Sequence, residues 1–309
     1  MQYIGELAAL STALFWSFTA IFFSEAGKLI GSFHVNKIRL VFAFLIYVII
    51  LLITTGYPLP TGLNSEQIFW LALSALIGLV IGDGCGFKAL VMIGPRLATL
   101  IMASTPIMAT VIAWIFLGEK LKAIDLVGIL ITIGGISWVI SERTGNEKQT
   151  VHVDHPDAGT LAKGILLALG ASLSQAAGLV FSKKGMMAMG GTTVPPLQAS
   201  CVRITSAMIL IWLFSILARG KVKETLTSAK DRKAMAYTFG GAFFGPFLGV
   251  WMSLVAVAHV EAGIAATLNA TTPVLIIPAV IFVYKEKISW RAIAGAVVAV
   301  AGVAMLFLG

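Results

Sequence analysis

The chain is built from ten apolar segments, each long enough to cross a lipid bilayer. They run at 3–23, 34–53, 68–91, 97–117, 123–140, 160–181, 196–217, 235–258, 261–284 and 288–308. A hydrocarbon core needs about 20 apolar residues in a helix. Inside it, every backbone N–H and C=O must find its partner within the protein, which leaves helices as the solution for segments of this length. Only 12% of the 309 residues are charged, and the mean hydropathy is +0.95. Soluble domains carry about 25% charged residues. The expected fold is an all-α integral membrane protein with ten transmembrane helices.

The net charge of +8 does not point to nucleic acid, because no basic run is interleaved with aromatic residues. Lys and Arg collect at the cytoplasmic ends of membrane helices. Cys85 and Cys201 both fall in apolar segments, with neither ligand spacing nor a disulfide framework. At the N-terminus, Ser24-Glu25-Ala26 has the look of a cleavage site, yet Glu6 stands where a signal peptide is positively charged. The first apolar run therefore reads as a retained helix.

Two polar stretches interrupt the apolar pattern. Residues 141–159 hold His152 and His155, whose spacing lacks further acidic or Cys partners and reads as part of a linker. Residues 218–234 form a basic loop with room for a short surface helix. The linker separates two similar halves. Phe23-Ser24 and Gly27 match Phe181-Ser182 and Gly185 at a shift of 158. At a shift of 167, Gly78 and Gly82 match Gly245 and Gly249, and Ser104-Thr105-Pro106 matches Thr271-Thr272-Pro273. Gly128 and Gly135 then match Gly295 and Gly302. The expected units are residues 1–140 and 160–309, each of five spans. An odd span count makes the two repeats face opposite ways, a common plan in secondary transporters.

These repeated signatures resemble the drug/metabolite transporter superfamily, in its ten-helix EamA-type branch. They comprise Ala98 to Pro106, Phe116-Leu-Gly-Glu-Lys120, Gly128 and Gly134-Gly135, with Ala265 to Pro273, Val283-Tyr-Lys-Glu-Lys287, Gly295 and Gly302 in the second half. The resemblance implies a carrier of small metabolites such as amino acids, drugs, sugars or nucleotide sugars. It also implies both termini in the cytoplasm for several relatives. The charge count reads the other way: the side opposite the termini holds seventeen of the 22 Lys and Arg residues, so both termini face outward.

Helices 3, 4, 8 and 9 carry Gly or Pro inside spans at matching positions, the best sequence pointer to a transporter's binding site. Gly82, Pro106, Pro246, Gly249 and Pro273 are the hinge candidates. Asp83 is the sharpest residue, since a charge in hydrocarbon costs about 2.5–3.5 kcal/mol even on the milder scales. Its counterpart in the second half is Val250, so the repeat does not require an acid there. Asp83 is expected either to meet a cationic group or proton, or to pair with Lys88 or Arg39. Arg39 and Arg203 are counterparts suited to anionic substrate groups or to interfacial anchoring. Gln175 and Asn269 are mid-span amides that need partners, and Trp16 and Trp251 lie too deep for interfacial belts. Glu119 and Glu286, beside lysines at the exits of helices 4 and 9, read as structural locks.

The expected function is secondary active transport of a small metabolite across the cytoplasmic membrane, by alternating access around a midplane cavity. An intramembrane enzyme is the alternative. No GxxxxGK[ST] loop occurs, so ATP is not the direct energy source. No cofactor or metal is expected. The partners are the bilayer, a small-molecule substrate, and a proton or another coupling ion.

Overall fold

The computed structural model describes residues 3–142, 158–187, 193–217, 221–275 and 289–308, and every regular element among them is helical. The first half contains α1 (Ile4–Ile30), α2 (Ser32–Thr55), α3 (Ser65–Ala75), a π-helical stretch (Leu76–Gly82), α4 (Asp83–Met102), α5 (Thr105–Leu117) and α6 (Ala123–Glu142). The second contains α7 (Ala158–Met186), α8 (Pro196–Leu217), the short surface helix α9 (Lys221–Ser228) and α10 (Arg232–Ala242). A second π-helical stretch (Phe243–Gly249), α11 (Val250–His259), α12 (Ala262–Asn269) and α13 (Trp290–Leu308) complete it. Among the described residues nine helical spans are long and apolar enough to cross a membrane. The expected segment 261–284 enters the structure as α12 and a helical restart at 272–275; its remainder, with Glu286 and its lysines, lies outside the described residues. The linker histidines also fall outside them.

Local chemistry sets the helix starts. Asn64 accepts from the Gln67 N–H while Gln67 Oε1 accepts from the Asn64 N–H, satisfying two orphan donors of α3 reciprocally. Asp231 caps α10 by accepting from the Lys233 and Ala234 N–H groups.

The hinge positions differ from the sequence expectation in kind. Pro106 and Pro273 do not kink continuous helices near their midpoints. The chain turns at 103–104 and again at 270–271, and each proline follows within the first turn of a restarting helix, where a missing N–H costs nothing. The supporting bonds repeat as well. Ser104 Oγ donates to Ile101 O and Thr105 Oγ1 to Met102 O, while Thr271 Oγ1 donates to Leu268 O and Thr272 Oγ1 to Asn269 O. In helices 3 and 8 the interruption is a widening of the helix. The two π-helical stretches occupy the same repeat register, 76–82 and 243–249, with Pro246 inside the second.

The two halves pack closely against each other, with corresponding elements making corresponding contacts. α6 and α13 run antiparallel in close contact: Gly128 abuts Gly302 and Gly135 abuts Gly295, so each glycine of one repeat faces the other's counterpart. A Cβ on Gly135 would collide with the Ala299 backbone nitrogen. Helix exchange between the halves follows the same symmetry. α7 packs on the first π-helical stretch, where a Cβ on Gly178 would lie 2.8 Å from Gly78 Cα, and α1 packs on the second, with Thr19 against Gly245. Lipid offers no hydrophobic drive between helices, so association rests on close van der Waals approach at small residues.

Candidate functional site

A cavity of about 390 Å³ lies between the halves, within the range of about 300–1,000 Å³ usual for small-molecule sites. Of the residues singled out from sequence, Trp16, Asp83, Gln175, Arg203, Asn269 and Pro273 line it. The rest of the wall is largely apolar, with Leu79, Met102, Ile136, Ile140, Leu179 and Val250.

Each π-helical stretch has carbonyls outside the regular α pattern, and side chains from neighbouring helices reach them. Gln175 Nε2 on α7 donates to Gly78 O at 3.3 Å. Tyr47 Oη on α2 donates to Phe247 O at 2.8 Å. Irregular backbone at membrane depth is tolerated where protein or a cavity satisfies it, and π segments frequently mark functional positions. Asp83 is the first residue after the first stretch. Its Oδ1 accepts from Gln175 Nε2 at 2.9 Å, and its Oδ2 forms an ion pair with Arg39 Nη2. Of the alternatives for Asp83, the structure shows the Arg39 pair. Arg39 stands behind the wall, over the Phe23 ring at 5.5 Å, and does not line the cavity.

Lys88 is not a partner of Asp83: its side chain is exposed on α4, outside the cavity. The five-residue separation turns it onto another face of the helix. Trp251 is half-buried with its ring 5.9 Å from Phe247 and does not line the cavity either. Gly82 and Gly249 end the π stretches and Pro246 lies within one, all three buried behind the cavity wall; Pro106 is buried at the start of α5. Arg203 is not an interfacial anchor. It is 5% exposed, borders the cavity, and makes no hydrogen bond or ion pair among the described residues.

Sequence reasoning passed over Thr12, Thr99, Thr105 and Ser253, which also line the cavity. Serine and threonine are common in membrane helices, where they bond the carbonyl one turn back, as Thr12 does to Ala8. The one available signal was register: Ser253 is the repeat counterpart of Gly86.

The cavity's two ends differ. At one end it reaches Thr99 on α4 and Ile140, close to the end of α6. At the opposite end Glu119 pairs with Lys183 at 2.6 Å and caps α12 through the Ala262 N–H at 2.8 Å. Lys183 also donates to Val260 O at 2.7 Å. Glu119 is thus paired, but its partner comes from α7 and not from the adjacent lysines.

The sequence profile of the EamA-like transporter family matches residues 3–141 and 162–308. The chain belongs to the EamA-like transporter family. It is helical and multi-pass, with the two-repeat architecture of that family. It is 28% identical over 149 residues to an uncharacterized transporter of Clostridium kluyveri, a match covering 48% of each chain. It is 28% identical over 127 residues to a chloroplastic WAT1-related protein of Arabidopsis thaliana, covering 41% of this chain and 30% of that one. The chain therefore spans about half or less of the curated relatives it matches. A solved crystal structure shares the fold over 100% of this EamA-family chain and 98% of its own, at a TM-score of 0.75 and 17% identity.

Proposed function

We propose that this EamA-family chain is a secondary carrier that moves a small metabolite across the cytoplasmic membrane by alternating access. The observation that carries the reading is the matched pair of π-helical stretches, one per repeat at the same register, flanking one cavity. Widened helices yield more readily than regular ones, because their carbonyls rely on side-chain donors from other helices. The two repeats, 1–140 and 160–309 about the linker 141–159, rock against each other around that cavity.

The asymmetry of the ends supports a state open on one side. The Glu119–Lys183 contact and the α12 cap hold α5, α7 and the α11–α12 turn together at the closed end. With the basic side taken as cytoplasmic, the cavity faces the cytoplasm and both termini lie outside.

The test is exchange in proteoliposomes, using pools of labelled amino acids, carboxylates, nucleosides and sugars. In a background with Cys85 and Cys201 changed to Ala, Glu119→Cys/Lys183→Cys is cross-linked and then reduced. Exchange should stop on cross-linking and resume on reduction. Cross-linked protein that still exchanges solute refutes alternating access at this end, and a chemically altered solute favours an enzyme. Thr99→Cys labelled by a membrane-impermeant maleimide from outside intact cells refutes the orientation.

A further inference from the structure

The cavity holds two polar side chains whose bonding capacity is not fully taken up among the described residues. The first is Arg203. Its Nε is fully enclosed without a partner, and its guanidinium pairs with no carboxylate among the described residues. Asp83 is the one carboxylate lining the cavity among those residues, and both its oxygens are already engaged, by Arg39 and Gln175. The second is Asn269. Its Oδ1 is enclosed without a partner, and its Nδ2 reaches Ser253 Oγ only at 3.5 Å.

Charge accounting then has a definite sign. Arg39 and Asp83 neutralise each other, which leaves Arg203 as one positive charge at the cavity wall with no counter-ion of its own among the described residues. An enclosed charge without a counter-ion is strongly unfavourable, and an arriving anion relieves it. Arg is suited to this task because its planar fork meets a carboxylate through two parallel N–H bonds. The mostly apolar wall fits a hydrophobic body.

We propose that the cavity selects a small organic monoanion: Arg203 holds its carboxylate, Asn269 meets a second polar group, and the apolar wall receives its body. The proposal depends on the carrier reading only for the cavity being the cargo site.

The test uses the purified full chain in detergent, with thermal shift and calorimetric titration of one probe set differing in charge. Phenylacetate, phenylacetamide, phenethylamine and phenyl phosphate share a ring and differ in the group offered to Arg203; acetate and benzoate add smaller and more rigid carboxylates. Carboxylates should stabilise the protein, with phenylacetate binding about 10- to 100-fold tighter than the amide or the amine, the range expected for a charge-assisted bond. Arg203→Gln should erase that preference, Arg203→Lys should keep part of it, and Lys230→Gln, the same charge change on an exposed residue, should leave it intact. Equal binding of amide or amine, no stabilisation by any carboxylate, or an unchanged preference in Arg203→Gln overturns the proposal. Tighter binding of phenyl phosphate overturns its carboxylate, single-charge form. If Arg203→Gln does not fold, the wild-type comparison across charges still decides. Phenylacetate binding without exchange in proteoliposomes overturns the carrier reading alone; exchange of a neutral solute that phenylacetate does not inhibit overturns this proposal alone.

Discussion

Replacing Asp83 by Asn removes one half of an ion pair and leaves the other half buried. The Arg39 side chain is 5% exposed and that of Asp83 17%, so bulk water cannot replace the lost partner. Arg39 Nε already lacks an acceptor. Removing one member of a buried pair costs about 3–5 kcal/mol. The partial opening of Asp83 lets some water or solute into the vacated place, which lowers the expected cost to about 2–4 kcal/mol. At about 2–4 °C per kcal/mol for chains of this order of size, Asp83→Asn should lower Tm by roughly 4–16 °C. Arg39→Gln alone should do similar damage. The double variant Asp83→Asn/Arg39→Gln restores a neutral, hydrogen-bonded pair, and should recover about 1–3 kcal/mol relative to additive losses. The assay is thermal unfolding of the four proteins in one detergent. An unchanged Tm in Asp83→Asn, or additive losses in the double variant, refutes the reasoning. Transport supplies a second, independent readout. Because Asp83 also borders the cavity, the double variant should recover stability while exchange stays impaired; full recovery of exchange would reduce Asp83 to a counter-ion for Arg39.

Gly135→Ala should lower folded yield sharply, since the new methyl meets the Ala299 backbone and the Gly295 carbonyl, which shift only if α6 and α13 separate; size-exclusion profiles and Tm check this, and a wild-type profile refutes the close crossing. Tyr47→Phe should cost about 1 kcal/mol in unfolding measurements, because Phe247 O in the second π-helical stretch loses its hydroxyl donor; a neutral result would mean another group serves that carbonyl.

The site was legible in the sequence to the extent that it was written in register. Asp83 stood out because its repeat counterpart is Val250, and Gln175 and Asn269 because mid-span amides need partners; all three line the cavity. Lys88 and Arg39 were equally plausible partners for Asp83 on spacing. Which one reaches it depends on how α2 sits beside α4, information that no single segment contains. Trp251 was deep enough to qualify, yet depth along a helix does not say which face meets the cavity.

By itself the sequence determined that this chain lives in a membrane, that it is helical, that it is doubled, and where helices 3, 4, 8 and 9 are interrupted. Those properties follow from hydropathy length and from residue identity repeated at a constant shift, both local to the chain. Only the tertiary structure decided that the interruptions of helices 3 and 8 are π-helical widenings, that Glu119 reaches across to Lys183, and that Arg203 has no ion-pair partner among the described residues while Arg39 is neutralised. Whether a buried charge is paired is settled by side chains arriving from helices far apart in sequence. That geometry exists only once the two repeats have closed on each other.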